Sequence, residues 1–426
     1  MALFKKDYIL LIITLLLVLG IYFSFTSPVI CLSVIFLILI NATKHTAGFF
    51  LLMYGGVLGG TIRSLFPFIP IYGIILQIIG IFLVGNLLKK ELPINKKSLI
   101  YLFVTFFLFL IYYLLGPRSD YSTTKIINIV QLGIMYFIAY FVLDKSEDIR
   151  IKDISILLML TSVFLISYAV EKYGLYPTSY FDFNWLRQGL MNYAWSTKED
   201  LLIDYQEVGM DATYAATLVY SLKKQPKGTY LYIALAFYLT LVSGARQSLA
   251  AFIAVFFCRN IFYNDVKNGK KILVYTFIIV LMYVVYTLLK SSNITAVAKT
   301  LEEGDEIRTL IWLTAIKVFL DNPIFGVGLG GYALNPLGDK YPHNFFLEVL
   351  AELGIVGFIS LLLLVVSYLK FQKIKFNHCT RSEMFYFLSL LALFIRIMVS
   401  ADFSLSISVF CAIYATTNYK KIDYKS

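Results

Sequence analysis

Long runs of apolar residues, separated by short polar and basic stretches, cover almost the whole chain. A membrane-spanning helix needs about 20 mostly apolar residues, and about fourteen segments approach that length. These segments are residues 8–27, 28–40, 46–66, 71–88, 98–116, 126–143, 154–170, 208–222, 229–242, 247–263, 272–289, 345–369, 384–399 and 405–419. Because several of them are short, the pattern predicts an all-α polytopic membrane protein with about 12–14 transmembrane helices.

The positions of Lys and Arg predict how these helices cross the membrane. If the N-terminus is cytoplasmic and the helices alternate, every cytoplasmic loop contains basic residues, for example Lys89, Lys96 and Lys224. This distribution follows the positive-inside rule and favours both chain ends in the cytoplasm. Two loops on the opposite side are then long, at residues 171–207 and 290–344. Long loops in compact proteins tend to carry function.

Composition narrows the class of protein further. Of the 426 residues, 59% are apolar and 15% are charged, whereas soluble proteins average about 45–50% and about 25%. The chain therefore reads as a single multi-span membrane domain over residues 1–426. The net charge of +11 lies in loops between apolar runs, without a nucleic-acid-binding module, which excludes a nucleic-acid partner. The four cysteines are scattered and form neither a metal-binding nor a disulfide pattern.

Among the arginines that lie beside apolar runs, where charge is costly and often functional, Arg246 and Arg63 are candidates for a binding site. Arg246 lies in the stretch SGARQSLAA, a short turn on the outer side, and Arg63 lies in GGTIRSLFPFIP. The planar guanidinium of Arg is suited to bidentate contacts with phosphate. The alternative for both residues is an anchor whose side chain reaches the lipid headgroups.

The second long loop contains a predicted amphipathic helix. Apolar residues recur at helical spacing from Glu306 to Leu320, interrupted by Arg308 and Lys317, which is typical of a helix on the outer membrane surface. The stretch GVGLGGY follows at residues 326–332. Its glycines allow positive φ angles and a close approach of the backbone to a ligand. No GK[ST] follows, so this is not a P-loop.

His343 and Asn344 come directly before the predicted span 345–369. A helix dipole disfavours a charged imidazolium at that end, and a neutral ring can act as a general base. Asn344 is the expected N-cap of the helix. Glu348 and Glu352 follow on one face of it. Glu348 is expected either to orient a catalytic group or to pair with an Arg of a neighbouring span.

Three stretches together resemble the bacterial O-antigen polymerase and O-antigen ligase superfamily. They are SGARQSLAA, RTLIWLTAIKVFLDNPIFGVGLGGY and HNFFLEVLAELGIVGF, in that order. The resemblance covers roughly residues 240–360, and the N-terminal half adds only its topology. It implies a GT-C-like membrane enzyme, with the two long loops and the active site on the periplasmic side of the bacterial inner membrane.

The resemblance also implies roles for single residues. Arg246 and Arg308 would bind the diphosphate of a polyprenyl-linked glycan donor, and His343 would activate the acceptor hydroxyl. Possible supporting residues are Glu348, Asn344 and Arg63. The outer loops lack an Asp-x-Asp motif, which agrees with a metal-independent glycosyltransferase that needs no cofactor.

Three functions remain as alternatives. In a polymerase, undecaprenyl-diphosphate-linked oligosaccharide is both donor and acceptor, and a chain-length regulator protein is a possible partner within the bilayer. In a ligase, the acceptor is a sugar of the lipid A core. A flippase for the lipid-linked oligosaccharide would need charged residues in many spans, whereas polar residues concentrate in the two outer loops. The GVGLGGY and HNFFLE stretches and the long first outer loop look more like a polymerase.

Overall fold

The computed structural model describes most of the chain. The described residues are 2–23, 26–66, 71–91, 96–146, 148–177, 182–197, 203–222, 228–262, 294–335, 337, 340–371, 381–398 and 402–404. The predicted spans 272–289 and 405–419 lie outside this part, as do His378, Cys379 and Cys411.

Within the described residues the secondary structure is entirely helical, with fourteen α-helices, one 3-10 helix and no strand. The helices are α1 (Ala2–Tyr22), α2 (Pro28–Asn41), α3 (Lys44–Leu65), α4 (Tyr72–Glu91), α5 (Lys96–Leu115), α6 (Asp120–Lys145), α7 (Ile151–Tyr173), α8 (Trp185–Thr197), α9 (Tyr205–Tyr220), α10 (Thr229–Val242), α11 (Arg246–Phe262), α12 (Ile294–Asp321), the 3-10 helix (Gly331–Leu334), α13 (Phe345–Phe371) and α14 (Arg381–Ile397). The prediction of an all-α protein is confirmed.

Apolar stretches in these helices are consistent with a polytopic membrane protein. In the described part, four helices are long and apolar enough to cross a membrane, at Tyr72–Lys89, Asp120–Leu143, Ile151–Tyr173 and Phe345–Leu363. Shorter apolar helical stretches are Ile9–Tyr22, Pro28–Asn41, Phe103–Leu115, Thr229–Val242 and Phe387–Ile397. All nine overlap segments that the hydrophobic pattern predicts.

Local sequence signals determine several helix ends. Ser27 caps α2 by accepting a hydrogen bond from the Val29 N–H, and Pro28 begins the helix, a position that Pro favours because its missing N–H is not needed there. The Asp204 carboxylate caps α9 through the Gln206 N–H at 2.8 Å. Gly174 ends α7 with a φ of 64°, the left-handed conformation common after a helix C-terminus.

The chain divides into two compact units. The first comprises Met1–Pro93, Ile138–Val255 and Thr380–Ala392, and the second comprises Ile94–Phe137, Phe256–Cys379 and Leu393–Ser426. Each is described separately below.

Helix α7 is the centre of the first unit. Nearly every residue from Ile151 to Val170 is buried, because the helix is apolar around its whole circumference and α1, α2, α3 and α9 pack on it. Helices α3 and α4 approach closely through glycines, since a Cβ at Gly59 would meet the Gly73 backbone at 2.2 Å. The first long loop of the sequence prediction contains a helix, α8, whose Trp185, Leu186 and Leu190 are buried.

The second unit is built around a break in α13. Gly354 has φ 62° and ψ −167° inside this helix, and residues 323–328 run alongside the break. The Val327 and Gly328 N–H groups donate to the Ala351 and Glu352 carbonyls at 3.0 and 2.9 Å. The segment 323–328 therefore pairs with α13 as an additional backbone partner.

The pairing is completed in the opposite direction. The Ile355 and Val356 N–H groups donate to the Pro323 and Ile324 carbonyls at 2.9 and 3.2 Å. Broken helices are tolerated at membrane depth where other protein groups satisfy the released backbone. Phe109, Ile129 and Val349 are among the buried residues that pack around this region.

Gly354→Ala is expected to destabilise the second unit. Its φ and ψ lie in a region that is essentially restricted to glycine, at a cost of about 1–3 kcal/mol for other residues. A Cβ would also lie 2.4 Å from the Ile324 carbonyl oxygen. Thermal unfolding of the purified protein in detergent should show a lower melting temperature.

Gly85→Ala is the matched control, because a Cβ at this helical glycine has no neighbour within 4 Å. Its melting temperature should be unchanged or slightly higher, since alanine favours helix by about 1 kcal/mol. Equal melting temperatures for the two variants would contradict the proposed importance of the break.

Candidate functional site

Arg246 is the first residue of α11 in the first unit, and its side chain is exposed. Ser243 and Gly244 form the turn before it, where Gly244 has a φ of 66° and the Ser243 hydroxyl accepts a hydrogen bond from the Ala245 N–H. A Cβ at Gly244 would lie 3.0 Å from both the Arg187 Cβ and the Asn184 Oδ1. The SGAR turn therefore packs against the start of α8.

Arg63 lies in the last turn of α3, in the same unit, and its side chain is exposed. This position is compatible both with the supporting role named above and with an anchor at the membrane boundary. His45, at the start of α3, is held by protein groups, since its Nδ1 lies 2.6 Å from the Ser146 hydroxyl and 3.8 Å from the Asp148 carboxylate.

Helix α12 presents Arg308 and contacts the segment that carries His343. The predicted amphipathic helix is present and begins earlier than expected, at Ile294. Ile311 and Ala315 face inward, whereas Leu313 and Leu320 are exposed, as in a helix at a membrane surface. Arg308 is exposed as well.

Trp312 connects α12 to the residues before α13. Its Nε1 donates to the Pro342 carbonyl at 3.1 Å. Arg308 lies four residues before Trp312, so both side chains leave the same face of the helix one turn apart. The structure thus places the Arg308 turn of α12 next to the segment of His343.

His343 is half-buried and has a φ of 54°. Non-glycine residues seldom adopt positive φ, although His, Asn and Asp do so more often than others. Its ring lies 4.5 Å from the Tyr341 ring in an edge-to-face arrangement. Such a backbone conformation is often found at functional sites.

Asn344 is the N-cap of α13, as the sequence predicts. Its Oδ1 accepts hydrogen bonds from the Phe346 and Leu347 N–H groups at 3.1 and 3.2 Å. Its side chain is therefore committed to the helix end. This cap determines where α13 begins and holds His343 just outside its first turn.

The glycine-rich stretch approaches protein rather than ligand, which corrects the expectation from the sequence. A Cβ at Gly326 would lie 2.4 Å from the Glu352 carbonyl, and one at Gly328 would lie 2.3 Å from the Gly116 Cα. The N–H groups of residues 326–331 donate to protein acceptors in every case. The stretch is thus a packing element, with its donors already engaged.

Glu348 and Glu352 bind a lysine of α6, so the expected pairing of Glu348 with an Arg was wrong. Lys125 Nζ lies 2.6 Å from Glu348 Oε1 and 2.9 Å from both oxygens of Glu352. All three side chains are completely buried. Removing one partner from such a cluster typically costs about 3–5 kcal/mol, because a buried charge is left without its partner.

Further groups complete this Lys125 cluster. Asp402 Oδ2 lies 3.6 Å from Lys125 Nζ and accepts a hydrogen bond from the Tyr121 hydroxyl. The Phe403 N–H donates to Glu348 Oε2 at 3.1 Å, and its ring lies 4.1 Å from Lys125 Nζ. The Gly330 N–H donates to Glu352 Oε2 at 2.9 Å.

Sequence reasoning missed Lys125 as a cluster residue because it lies at the edge of an apolar run, where a snorkelling lysine is ordinary. The available signal was the pair of carboxylates on one apolar face of α13, which requires a cation nearby. Which of the many basic residues supplies that cation depends on tertiary packing.

Comparison with known proteins agrees with the motif reading. Residues 231–362 match the family described as O-antigen ligase. This region includes Arg246, Arg308, His343 and both carboxylates of α13, and the match confirms that this part of the chain resembles the O-antigen polymerase and ligase superfamily. No curated protein and no solved structure matches the chain.

Proposed function

We propose that the protein is an O-antigen polymerase, which joins undecaprenyl-diphosphate-linked repeat units at the periplasmic face of the bacterial inner membrane. The observation that carries the proposal is the contact of Trp312 with Pro342. It holds the exposed Arg308 turn beside His343, within a region that matches the O-antigen ligase family.

The proposed reaction assigns one task to each of these side chains. An acceptor sugar hydroxyl attacks the anomeric carbon of the donor, and the His343 imidazole takes the hydroxyl proton. The bond between the anomeric carbon and the diphosphate oxygen breaks, and the lipid diphosphate leaves as an anion. The Arg308 guanidinium offsets the charge that develops on this leaving group. The resemblance gives Arg246 the same task.

Polymerase is preferred to ligase because of the GVGLGGY and HNFFLE stretches and the first outer loop. Both enzymes use the same donor chemistry and differ in the acceptor. Flippase is disfavoured because the described charged side chains at membrane depth in α6 and α13 are paired with each other and do not line a polar path.

A deletion strain separates the three functions. Surface polysaccharide and lipid-linked intermediates would be measured after removal of the chain. A lipid core that carries a single repeat unit is expected for a polymerase. A bare core with accumulating lipid-linked polymer would mean a ligase, and lipid-linked single units retained on the cytoplasmic side would mean a flippase.

Arg308→Lys and Arg246→Lys are each expected to lower turnover by about 10–100-fold. This factor corresponds to the loss of one hydrogen bond to a charged group. The lysine ammonium keeps the charge but cannot reproduce the bidentate contact with diphosphate. Polymer formation from purified lipid-linked substrate would be measured at equal amounts of folded protein.

Arg118→Lys serves as the control for these two variants. Arg118 is exposed, and its guanidinium contacts its own chain at the Leu114 carbonyl. Its replacement should leave turnover unchanged. Full activity of Arg308→Lys would assign Arg308 to anchoring at the membrane surface instead.

His343→Asn is expected to fold normally, and its turnover should be about 10²–10⁴-fold lower, because a positioned base usually contributes that factor. Asparagine tolerates the positive φ of this position well but cannot accept a proton at neutral pH. Donor binding should be retained, because the arginines are unchanged.

Turnover and donor binding of the purified His343→Asn variant would be compared with those of the unmodified protein. Asn344→Ala is the structural reference, since it weakens the helix cap by about 1 kcal/mol and leaves the imidazole in place. Near-normal polymer formation by His343→Asn would exclude the imidazole as the base.

A further inference from the structure

We propose that Lys125 is a positioning residue for the reaction, and that it holds the Arg308 helix in place relative to His343 through a continuous series of contacts. The proposal rests on the proposed function. It concerns a buried side chain of α6 that does not touch the substrate, and it assigns to the Lys125 cluster a role beyond neutralising its own charges.

The series of contacts begins at Lys125. Its ammonium binds both carboxylates of α13, Glu348 and Glu352, and so holds the face of α13 that carries them toward α6. Glu352 then uses the same carboxylate to accept the Gly330 N–H at 2.9 Å. One side chain thus couples α6 and α13 to the end of the glycine-rich stretch.

The next contacts lead from Gly330 to α12. Gly330 caps the 3-10 helix that contains Tyr332. The Tyr332 ring is fully buried, and its hydroxyl donates to the Ile311 carbonyl in α12 at 3.0 Å. Ile311 precedes Trp312, which bonds Pro342, and follows the turn of Arg308. A displacement of Gly330 therefore reaches the turn that carries the arginine.

Two features favour positioning over simple charge neutralisation. A buried lysine can be neutralised by one carboxylate, whereas Lys125 contacts two at 2.6–2.9 Å and a third at 3.6 Å. These carboxylates also accept backbone N–H groups from two separate segments, at Gly330 and Phe403. The cluster therefore aligns three parts of the backbone around one cation.

The test uses Lys125→Met and the double variant Lys125→Met/Glu348→Gln, which removes one positive and one negative charge together. Turnover and KM for the lipid-linked donor would be measured at equal amounts of folded protein. We expect turnover to fall about 10–100-fold, because small misplacements of reacting groups lower the rate by this order. KM should change less than about threefold, because the exposed Arg308 is retained.

A second readout needs no substrate. Trp312 is left as the single tryptophan by Trp185→Phe and Trp195→Phe, and its emission reports the contact with Pro342. We expect a red shift in the Lys125 variants. This signal remains measurable if the proposed reaction is wrong, so the two failures are distinguishable: an unmodified protein inactive on lipid-linked glycan would count against the proposed function alone.

Tyr332→Phe removes the hydrogen bond to the Ile311 carbonyl, a later contact of the same series, and keeps the buried ring. It should lower turnover about 3–10-fold with KM unchanged, and shift Trp312 emission in the same direction. The control is Lys44→Met, which removes a lysine from an exposed position at the start of α3. It should leave turnover, KM and emission unchanged.

Unchanged turnover and emission in a folded Lys125 variant would overturn the proposal. If neither Lys125 variant accumulates as folded protein, Tyr332→Phe decides. Reduced turnover of Tyr332→Phe with unchanged KM would support the series of contacts from Lys125 to α12. Unchanged turnover and emission would mean that Lys125 serves folding only, and would overturn the proposal.

Discussion

Backbone groups released by the break in α13 lie in a stretch that is apolar enough to cross a membrane, where protein partners must replace water, and residues 323–328 supply these partners. The carbonyls before Gly354 accept N–H groups of residues 327 and 328, and the N–H groups after it donate to residues 323 and 324. This exchange requires two backbones in direct contact. Gly326 and Gly354 permit it, since a Cβ at Gly326 would overlap the Glu352 backbone and a Cβ at Gly354 would overlap the Ile324 backbone.

Buried charged groups need partners as buried backbone groups do, and the Lys125 cluster supplies them. Two carboxylates on an apolar helix are costly to bury unless a cation and backbone donors surround them. Lys125, the Gly330 N–H and the Phe403 N–H provide these partners. Glu352 takes part in both arrangements, because its carbonyl accepts the Gly328 N–H while its carboxylate accepts the Gly330 N–H. The break and the charged cluster are thus one structural feature.

This arrangement separates structural charges from those assigned to chemistry. Lys125, Glu348 and Glu352 are buried and bound to each other, whereas Arg308 is exposed at the surface of α12. The glycosyltransferase that we propose would need such a division, because cationic groups that bind a lipid diphosphate must be accessible while their supports stay rigid. The exposed Leu313 and Leu320 on α12 suit the same boundary.

Hydrophobic periodicity was sufficient to predict the helical membrane architecture, since apolar length alone decides whether a helix can span a bilayer. Local signals also predicted the amphipathic helix of Arg308 and the Asn344 cap, because both depend on residues close in sequence. The helix α8, the purpose of the glycines and the partner of Glu348 were not predictable. Lys125 and Glu348 are 223 residues apart, and many lysines could neutralise a buried carboxylate equally well. Only the packing of α6 against α13 decides which one does, because pairing a buried charge requires contact at hydrogen-bond distance.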